Sequence, residues 1–350
     1  MFVKNAWYCA GWDYSVSLAR DAIVPRMIAG ERLVLFRTPQ GQLVAFEDRC
    51  PHRQAALSLG RKEGDTLRCM YHGLRFASDG RCVEVPERDR IPERARVRVF
   101  PVVEKDNWIW VWMGDPERAD ETLIPFAVGP DESGWTIGTS EMSVKTNYRL
   151  EIINLADLSH LTWVHEDTVG GSRKFAAIDP ELALIPRGLN TRYWVRSVEP
   201  NGLARHLFPA DALFDMHFDI QHTVPCTWVM HFRMFTAGTA TSGDSDGQLV
   251  LDTWTSQAVT PRDANNVDYY FSWGVSEETE VPGIVDMLRE GLDVAFREDA
   301  DMLEAQHVRT QEKPDFPVVN LPFDEGPAKM LWVLDKMLRD EAKENEQTSV

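Results

Sequence analysis

The sequence is short of positive charge: 37 Lys and Arg stand against 55 Asp and Glu, a net charge of −18. That balance argues against nucleic acid or an anionic membrane as a partner, because both recruit basic surfaces. Long apolar runs are missing as well. No stretch reaches the roughly 18 consecutive apolar residues of a membrane-spanning helix. The opening Met1-Phe-Val-Lys-Asn-Ala-Trp7 has no apolar signal-peptide core. Cysteine is scarce, at positions 9, 50, 69, 82 and 226. So sparse and odd a set excludes a disulfide framework and fits a reducing cytoplasm. There is no G-x-G-x-x-G after a strand pattern and no four-cysteine ferredoxin spacing, so the chain is not expected to draw electrons from NAD(P)H by itself.

The sequence does carry Cys50-Pro-His52-Arg, followed, with sixteen residues between His52 and Cys69, by Cys69-Met-Tyr-His72-Gly. The pattern is C-x-H, then C-x-x-H. Four such ligands suit tetrahedral zinc. They equally suit a [2Fe–2S] cluster with two cysteines on one iron and two histidines on the other. The mixed pairing favours the cluster: each loop carries one Cys and one His, so two facing loops supply both irons. Zinc sites more often pair Cys with Cys and His with His.

The 350 residues suggest two domains, and 43% hydrophobic content is ample for a large core. Residues 1–118 read as all-β. Leu33–Phe36 and Leu43–Phe46 flank the turn-rich Thr38-Pro-Gln-Gly41, and Leu74–Phe76 and Cys82–Val85 flank Ser78-Asp-Gly80. Trp108-Ile-Trp-Val-Trp112 reads as a packed strand. Gly73, after His72, permits close backbone approach. Cys9 and Cys82 lie outside the ligand spacing and read as buried or free thiols. Gly114-Asp-Pro116 marks a boundary. From Arg49 to Arg81 seven basic residues face three acidic ones. Solvated surface is one reading; a docking patch for an acidic electron donor is the other.

Residues 119–350 carry a second cluster of metal-binding residue types. Apolar residues at 152, 153, 155, 158, 161 and 164 suit a helix with one buried face. His160 follows Asp157 by three positions and His165 follows His160 by five, so a helix and its exit bring two imidazoles together. A carboxylate would complete a facial triad for non-haem iron. In the helical stretch Val294–Gln306, Glu298, Asp299, Asp301 and Glu304 compete for that role, and a solvated acidic face is the plain alternative. Arg192–Arg196, Thr227–Phe232, Leu249–Trp254 and Tyr269–Trp273 read as strands. Gly238–Gly247 reads as a loop, and Ala328 to about Glu346 as an amphipathic surface helix.

Cys50-x-His52…Cys69-x-x-His72-Gly73-Leu-Arg-Phe76, with Asn154-x-x-Asp157-x-x-His160-x(4)-His165 and Glu298-Asp299…Glu304-x-Gln306, resembles the oxygenase subunits of Rieske non-haem iron oxygenases. The resemblance covers nearly the whole chain and is nearest the branch of vanillate and dicamba O-demethylases and toluenesulfonate methyl-monooxygenase. It implies an α+β chain, with an N-terminal all-β Rieske domain and a C-terminal helix-grip domain of curved antiparallel sheet around a long helix. It implies Cys50, His52, Cys69 and His72 as ligands of a [2Fe–2S] cluster, and His160, His165 and Asp299 as ligands of a mononuclear Fe(II). It assigns Asp157 as a bridge from His160 to a neighbour's His72 in a head-to-tail homotrimer, and Asn154 a place near the iron. His307 stands where the family pattern has a second glutamine.

The resemblance further implies O2 as co-substrate and a separate flavin and iron–sulfur reductase, directly or through a ferredoxin, with NAD(P)H used only indirectly. The expected reaction is O-demethylation or hydroxylation of a substituted aromatic, an aromatic acid foremost. Methyl or ring hydroxylation, including cis-dihydroxylation, is the alternative among enzymes. An electron carrier with a ligand-binding second domain, and a zinc-stabilised binding module, are the alternatives of other classes. His231 and Gln257 fall at substrate-contacting positions, and a third, aromatic contact falls near Glu290, where this chain differs. Arg192, Arg196, Arg205 and Arg233 are available to an acid. His206, His217, His222 and His307 read as structural.

Overall fold

The computed structural model describes residues 1–16, 22–170, 173–201, 204–225, 227–240, 247–279 and 281–348. Cys226 and residues 241–246 of the glycine-rich loop lie outside them. The chain divides into two compact units, one of residues 2–124 and 260–263, the other of residue 1, 125–259 and 264–350.

The regular elements among the described residues of the first unit are strands and short 3-10 turns. These are β1 (Trp7–Trp12), β2 (Ile23–Ile28), β3 (Glu31–Arg37), β4 (Leu43–Glu47), β5 (Arg61–Glu63), β6 (Thr66–Arg68), β7 (Arg75–Ala77), β8 (Cys82–Glu84), β9 (Val99–Phe100), β10 (Val102–Lys105) and β11 (Trp108–Trp112). They form three sheets, ordered β1-β11-β10, β2-β3-β4-β9 and β5-β6-β7-β8. Both hairpins read from the sequence are present: β3 pairs with β4, and β7 with β8. All five residues of β11 are buried, so its aromatic run serves as core. The first turn needs Gly41 at φ +89°, and Gly80 at φ +79° leaves no room for a Cβ, which would stand 2.3 Å from the Val97 carbonyl oxygen.

The second unit is built on one sheet. Its strands are β12 (Trp135–Val144), β13 (Glu181–Ile185), β14 (Gly188–Val198), β15 (Phe214–Thr223), β16 (Thr227–Thr236), β17 (Leu249–Pro261) and β18 (Val267–Ser276). They are ordered β12-β18-β17-β16-β15-β14-β13. Its helices are α1 (Tyr148–Ala156), α2 (Leu161–Val164), α3 (Ile284–Glu312) and α4 (Glu325–Thr348). The 29-residue α3 lies against β12 and β18, and α4 against α1 and β14. No helix among the described residues is long and apolar enough to cross a membrane.

One element departs from its sequence reading. The run from Tyr148 to His165 is not one helix. Asp157 sits at φ −132°, ψ 111°, ending α1 and capping a following 3-10 turn, Leu158–His160. Its carboxylate accepts from Ser159 N and Oγ at 2.8 and 2.9 Å. A short acid that satisfies the next turn's free N–H groups competes with helix continuation, and here it wins.

Candidate metal centres and cavity

In the first unit two loops repeat one backbone plan. Cys50 N donates to Ala55 O and Gln54 N to Cys50 O; Cys69 N donates to Leu74 O and Gly73 N to Cys69 O, all at 2.8–2.9 Å. The fifth residue of each loop, Gln54 or Gly73, has positive φ, +57° and +79°. At Gly73 a Cβ would also stand 2.6 Å from Pro86 Cγ.

These matched turns put Cys50 and Cys69 in the core, each 1% exposed, and leave His52 and His72 at the surface with ring centroids 4.4 Å apart. Burial pushes the Cys50 thiol up to about 11, against the pull of the His52 and Arg53 backbone N–H groups; the hydrogen bond its S–H donates to the neighbouring Cys69 sulfur adds to the rise. Desolvation, helped by His52 and Arg53, holds His72 below its ordinary value. Thiols aimed inward and imidazoles aimed outward suit a cluster whose inner iron takes sulfur and whose outer iron takes nitrogen. Cys9 and Cys82 are buried free thiols outside this set.

The basic run around the cluster is largely neutralised. Arg49 pairs with Glu47, Arg61 and Arg68 with Glu63, Arg68 and Arg75 with Glu84, and Arg81 with Asp79. Glu47 and Glu84, just beyond the two ends of the basic run, supply the missing charge. The exposed side chains around the loops include Leu59, Met70, Tyr71 and Val83.

In the second unit His160, His165 and Asp299 bring one ligand atom each within 4.8 Å of one another. The two Nε2 atoms stand 3.5 and 3.2 Å from Asp299 Oδ1. The other nitrogens are spoken for. His160 Nδ1 donates to the Asp157 carbonyl oxygen at 2.6 Å, and His165 Nδ1 to Glu298 Oε2 at 2.8 Å. Both imidazoles therefore present Nε2 lone pairs to one point, which is what a divalent metal requires. Asn154 Nδ2 donates to Asp299 Oδ1 at 3.1 Å, and Thr168 Oγ1 to Glu298 Oε2 at 2.8 Å.

Burial opposes protonation of His165, but the Asp299 and Glu298 carboxylates outweigh it and raise its pKa. Beneath lies Glu151, 1% exposed, pushed up to about 8 by burial and by Asp299. The competition along α3 is thus resolved by position. Asp299 faces the histidines, Glu298 orients one of them, Glu304 accepts from Lys145 N, and Asp301 is exposed.

Beside this triad is a cavity of about 200 Å³ reaching from Asn154 and Asp299 to the sheet. Along β16 the cavity takes Trp228, Met230, Phe232 and Met234. Strand alternation puts His231 on the other face, where its Nε2 meets Asp252 Oδ1 at 2.6 Å and its ring stacks on Trp254 at 4.2 Å. His231, expected at a substrate-contacting position, is therefore outside the described lining, although the Trp254 it stacks on is part of it. Gln257 does line the cavity, and its Oε1 accepts from Tyr269 OH. Glu290 is exposed and outside the lining. The four arginines considered for an acid are also outside it: Arg192 pairs with Asp219, Arg196 with Asp215, Arg205 with Glu199, and Arg233 meets His217. Sequence reasoning missed Glu298 as a histidine orienter and Thr162 and Glu199 as lining residues.

An exposed His pair over two thiols, together with a two-histidine, one-carboxylate triad beside a cavity, defines an iron–sulfur protein with a mononuclear metal centre. Comparison with known proteins agrees. Residues 6–101 match the Rieske [2Fe-2S] domain, and residues 144–340 the vanillate O-demethylase oxygenase C-terminal domain. The chain is 32% identical to the iron–sulfur subunit of the toluene-4-sulfonate monooxygenase system of Comamonas testosteroni, over 97% of this chain and 98% of that one. It is 30% identical to a vanillate O-demethylase oxygenase subunit of Pseudomonas, over 97% and 96%. Among solved structures it superposes on dicamba monooxygenase bound to dicamba with a TM-score of 0.87 and 28% identity, over 98% of this chain and 99% of that one. The chain belongs to the Rieske non-haem iron oxygenases, among the oxygenase components of multicomponent monooxygenases. Its cofactors are a Rieske [2Fe–2S] cluster and a mononuclear non-haem iron.

Proposed function

We propose that Cys50, His52, Cys69 and His72 hold the cluster, that His160, His165 and Asp299 hold the iron, and that residues 1–118 and 119–350 are the corresponding domains. The observation that carries this is the convergence of His160 Nε2, His165 Nε2 and Asp299 Oδ1, with both Nδ1 atoms already engaged. When bound, the iron supplies oxygen activation and the cluster supplies electrons one at a time. The chain's own residues do the rest. Glu298 fixes the ring plane and tautomer of His165, the Asp157 carbonyl does the same for His160, and Asn154 holds one oxygen of Asp299.

Asp157 is proposed as the link between His160 and the His72 of a second copy in a head-to-tail trimer. Its carbonyl already holds His160; its carboxylate, now on Ser159, is the group that would reach outward. Electrons come from a separate flavin and iron–sulfur reductase, directly or through a ferredoxin, in the cytoplasm, with NAD(P)H consumed there.

The substrate is a substituted aromatic, as the relatives' names indicate for them. For a methyl ether the balance is ArOCH3 + O2 + 2e⁻ + 2H⁺ → ArOH + HCHO + H2O. The test is formaldehyde release and oxygen uptake on a panel of methoxylated aromatics, with surrogate reductase and NADH. Formaldehyde in step with oxygen and substrate loss establishes O-demethylation. A hydroxylated product without formaldehyde establishes methyl or ring hydroxylation instead.

A further inference from the structure

The cavity is floored by two unlike rows of side chains. β16 and β17 run side by side in a register that pairs Trp228 with Gln257, Met230 with Thr255, Phe232 with Thr253 and Met234 with Leu251, and all of these residues line the cavity. Directly opposed residues of neighbouring strands present their side chains on one face. The residues between them serve the other face: Asp252 meets His231, and Ser256 Oγ accepts from Val128 N at 3.0 Å. The β16 row is therefore apolar throughout, while the β17 row is polar at Gln257, Thr255 and Thr253. Met216, opposite Met234 on β15, widens the apolar side, and Met287 of α3 also lines the cavity.

The polar row starts at the triad end. Trp228, beside Gln257, donates Nε1–H to Leu155 O at 2.9 Å, next to Asn154. Tyr269, which holds Gln257 Oε1, packs on Phe296, one turn before Asp299, with ring centroids 5.3 Å apart. At the far end Leu251 and Met234 pack with Ile284, the first residue of α3. Thr255 and Thr253 thus lie one and two steps of about 7 Å from Gln257. Both are 8% exposed. Among the described residues neither hydroxyl has a hydrogen-bond partner, and neither is sealed off as the Thr162 hydroxyl is. The lining near them offers little else: Asn201 Oδ1 is on Ala204 N, Glu199 pairs with Arg205, and no Lys or Arg lines the cavity among the described residues.

We propose that Thr253 and Thr255 receive a hydrogen-bond-accepting substituent that the substrate carries across its ring from the position oxidised. One step of the row, about 7 Å, is close to the span between opposite substituents of a benzene ring. A ring lying over Met230 and Phe232 would then keep one substituent at the triad end and bring the opposite one to the two hydroxyls. The chemical class is the para-substituted aromatic whose remote substituent offers oxygen acceptors, a carbonyl being the simplest. That the group at the triad end is oxidised rests on the oxygenase reading; the binding does not.

The test is anaerobic calorimetric titration of holoprotein with three probes: 4-methoxyacetophenone, its ortho isomer 2-methoxyacetophenone, and 4-isopropenylanisole, in which a CH2 group replaces the carbonyl oxygen. The para ketone is expected to bind about tenfold more tightly than either of the others. Thr253→Val and Thr255→Val, which keep side-chain shape, should each weaken the para ketone about fivefold and leave isopropenylanisole within about twofold. Cluster absorbance and iron content should not change, and Thr255→Ser should keep the tight binding. A para ketone no tighter than isopropenylanisole, or an ortho isomer as tight as the para, overturns the proposal on the unaltered protein. An equal loss for ketone and isopropenylanisole in the valine variants overturns it too. The expected discrimination with no oxygen uptake on any probe, once reductase and NADH are added in air, supports the polar row and overturns the oxygenase reading instead.

Discussion

His52 and His72 stand at the surface above two buried thiols, whereas His165 is 1% exposed, shares Asp299 with His160 and holds Glu298 at its other nitrogen. The first pair is placed by two copies of one turn, and its ring nitrogens face outward, where another molecule can meet them. The second pair is placed by a broken helix and a long one, and each ring is pinned at Nδ1 before any metal arrives. Electron entry calls for an accessible imidazole edge; oxygen chemistry calls for a sheltered one. The same residue type is tuned to opposite tasks by where its second nitrogen points and how deep it lies.

The sharpest break is chemical. Asp299→Ala or His160→Ala should remove the mononuclear iron and abolish turnover while leaving the visible cluster spectrum; metal analysis with absorbance reads both, and loss of the cluster would contradict two independent centres. Cys69→Ser should do the reverse, bleaching the cluster while the triad keeps its iron. Glu298→Gln should weaken iron binding about 10- to 100-fold by loosening His165, seen in a chelator competition; wild-type affinity would make Glu298 a bystander. Asp157→Asn retains the cap on Ser159, because Asn caps as well as Asp, so both metals should stay while cluster-to-iron electron transfer falls about tenfold or more in single turnover.

A smaller effect comes from a histidine in neither pair. His222 is fully buried with both nitrogens unpartnered, and burial pushes it down to about 3. It must stay neutral in the folded chain but protonates in the unfolded one near its ordinary value. Its contribution therefore lowers stability progressively as pH falls below about 6.5, reaching about 2 kcal/mol at pH 5. His222→Leu should flatten the acid limb of a denaturation series; an unchanged limb would show that His222 finds a partner in solution. Smallest is salt. Because Arg49, Arg61, Arg68, Arg75 and Arg81 pair with local carboxylates, reductase-coupled rates should change less than about twofold between roughly 0.05 and 0.3 M ionic strength; a steep fall would restore the basic docking patch.

The candidate metal ligands were legible because their spacing is chemistry rather than folding: C-x-H and C-x-x-H suit a cluster or zinc whatever surrounds them. Some strands of both units were legible from residue type and alternation, among them β11 and β16, whereas β12, β13 and β15 were not read. The break at Asp157 was harder, because apolar spacing continues through it; only the Asp-x-Ser cap betrays the turn. The choice among Glu298, Asp299, Asp301 and Glu304 needed the resemblance, since all four lie within two turns of one helix and only tertiary placement separates a ligand from its support. His231 was assigned by loop alignment, whereas the alternation of its own strand puts it on the face opposite Met230 and Phe232. Thr162 left no trace in the sequence at all: an unsatisfied hydroxyl is a property of what fails to lie near it.

The methionines of the cavity wall set a limit on the enzyme's working life. A thioether is readily oxidised to a sulfoxide, which is polar, bulkier and ill-suited to an apolar wall. Met216, Met230, Met234 and Met287 line the cavity beside the triad proposed to hold the iron. Every cycle that lets reduced oxygen escape, instead of spending it on substrate, exposes them. Poorly fitting substrates would thus age the catalyst, and total turnovers per molecule would track coupling efficiency more closely than rate.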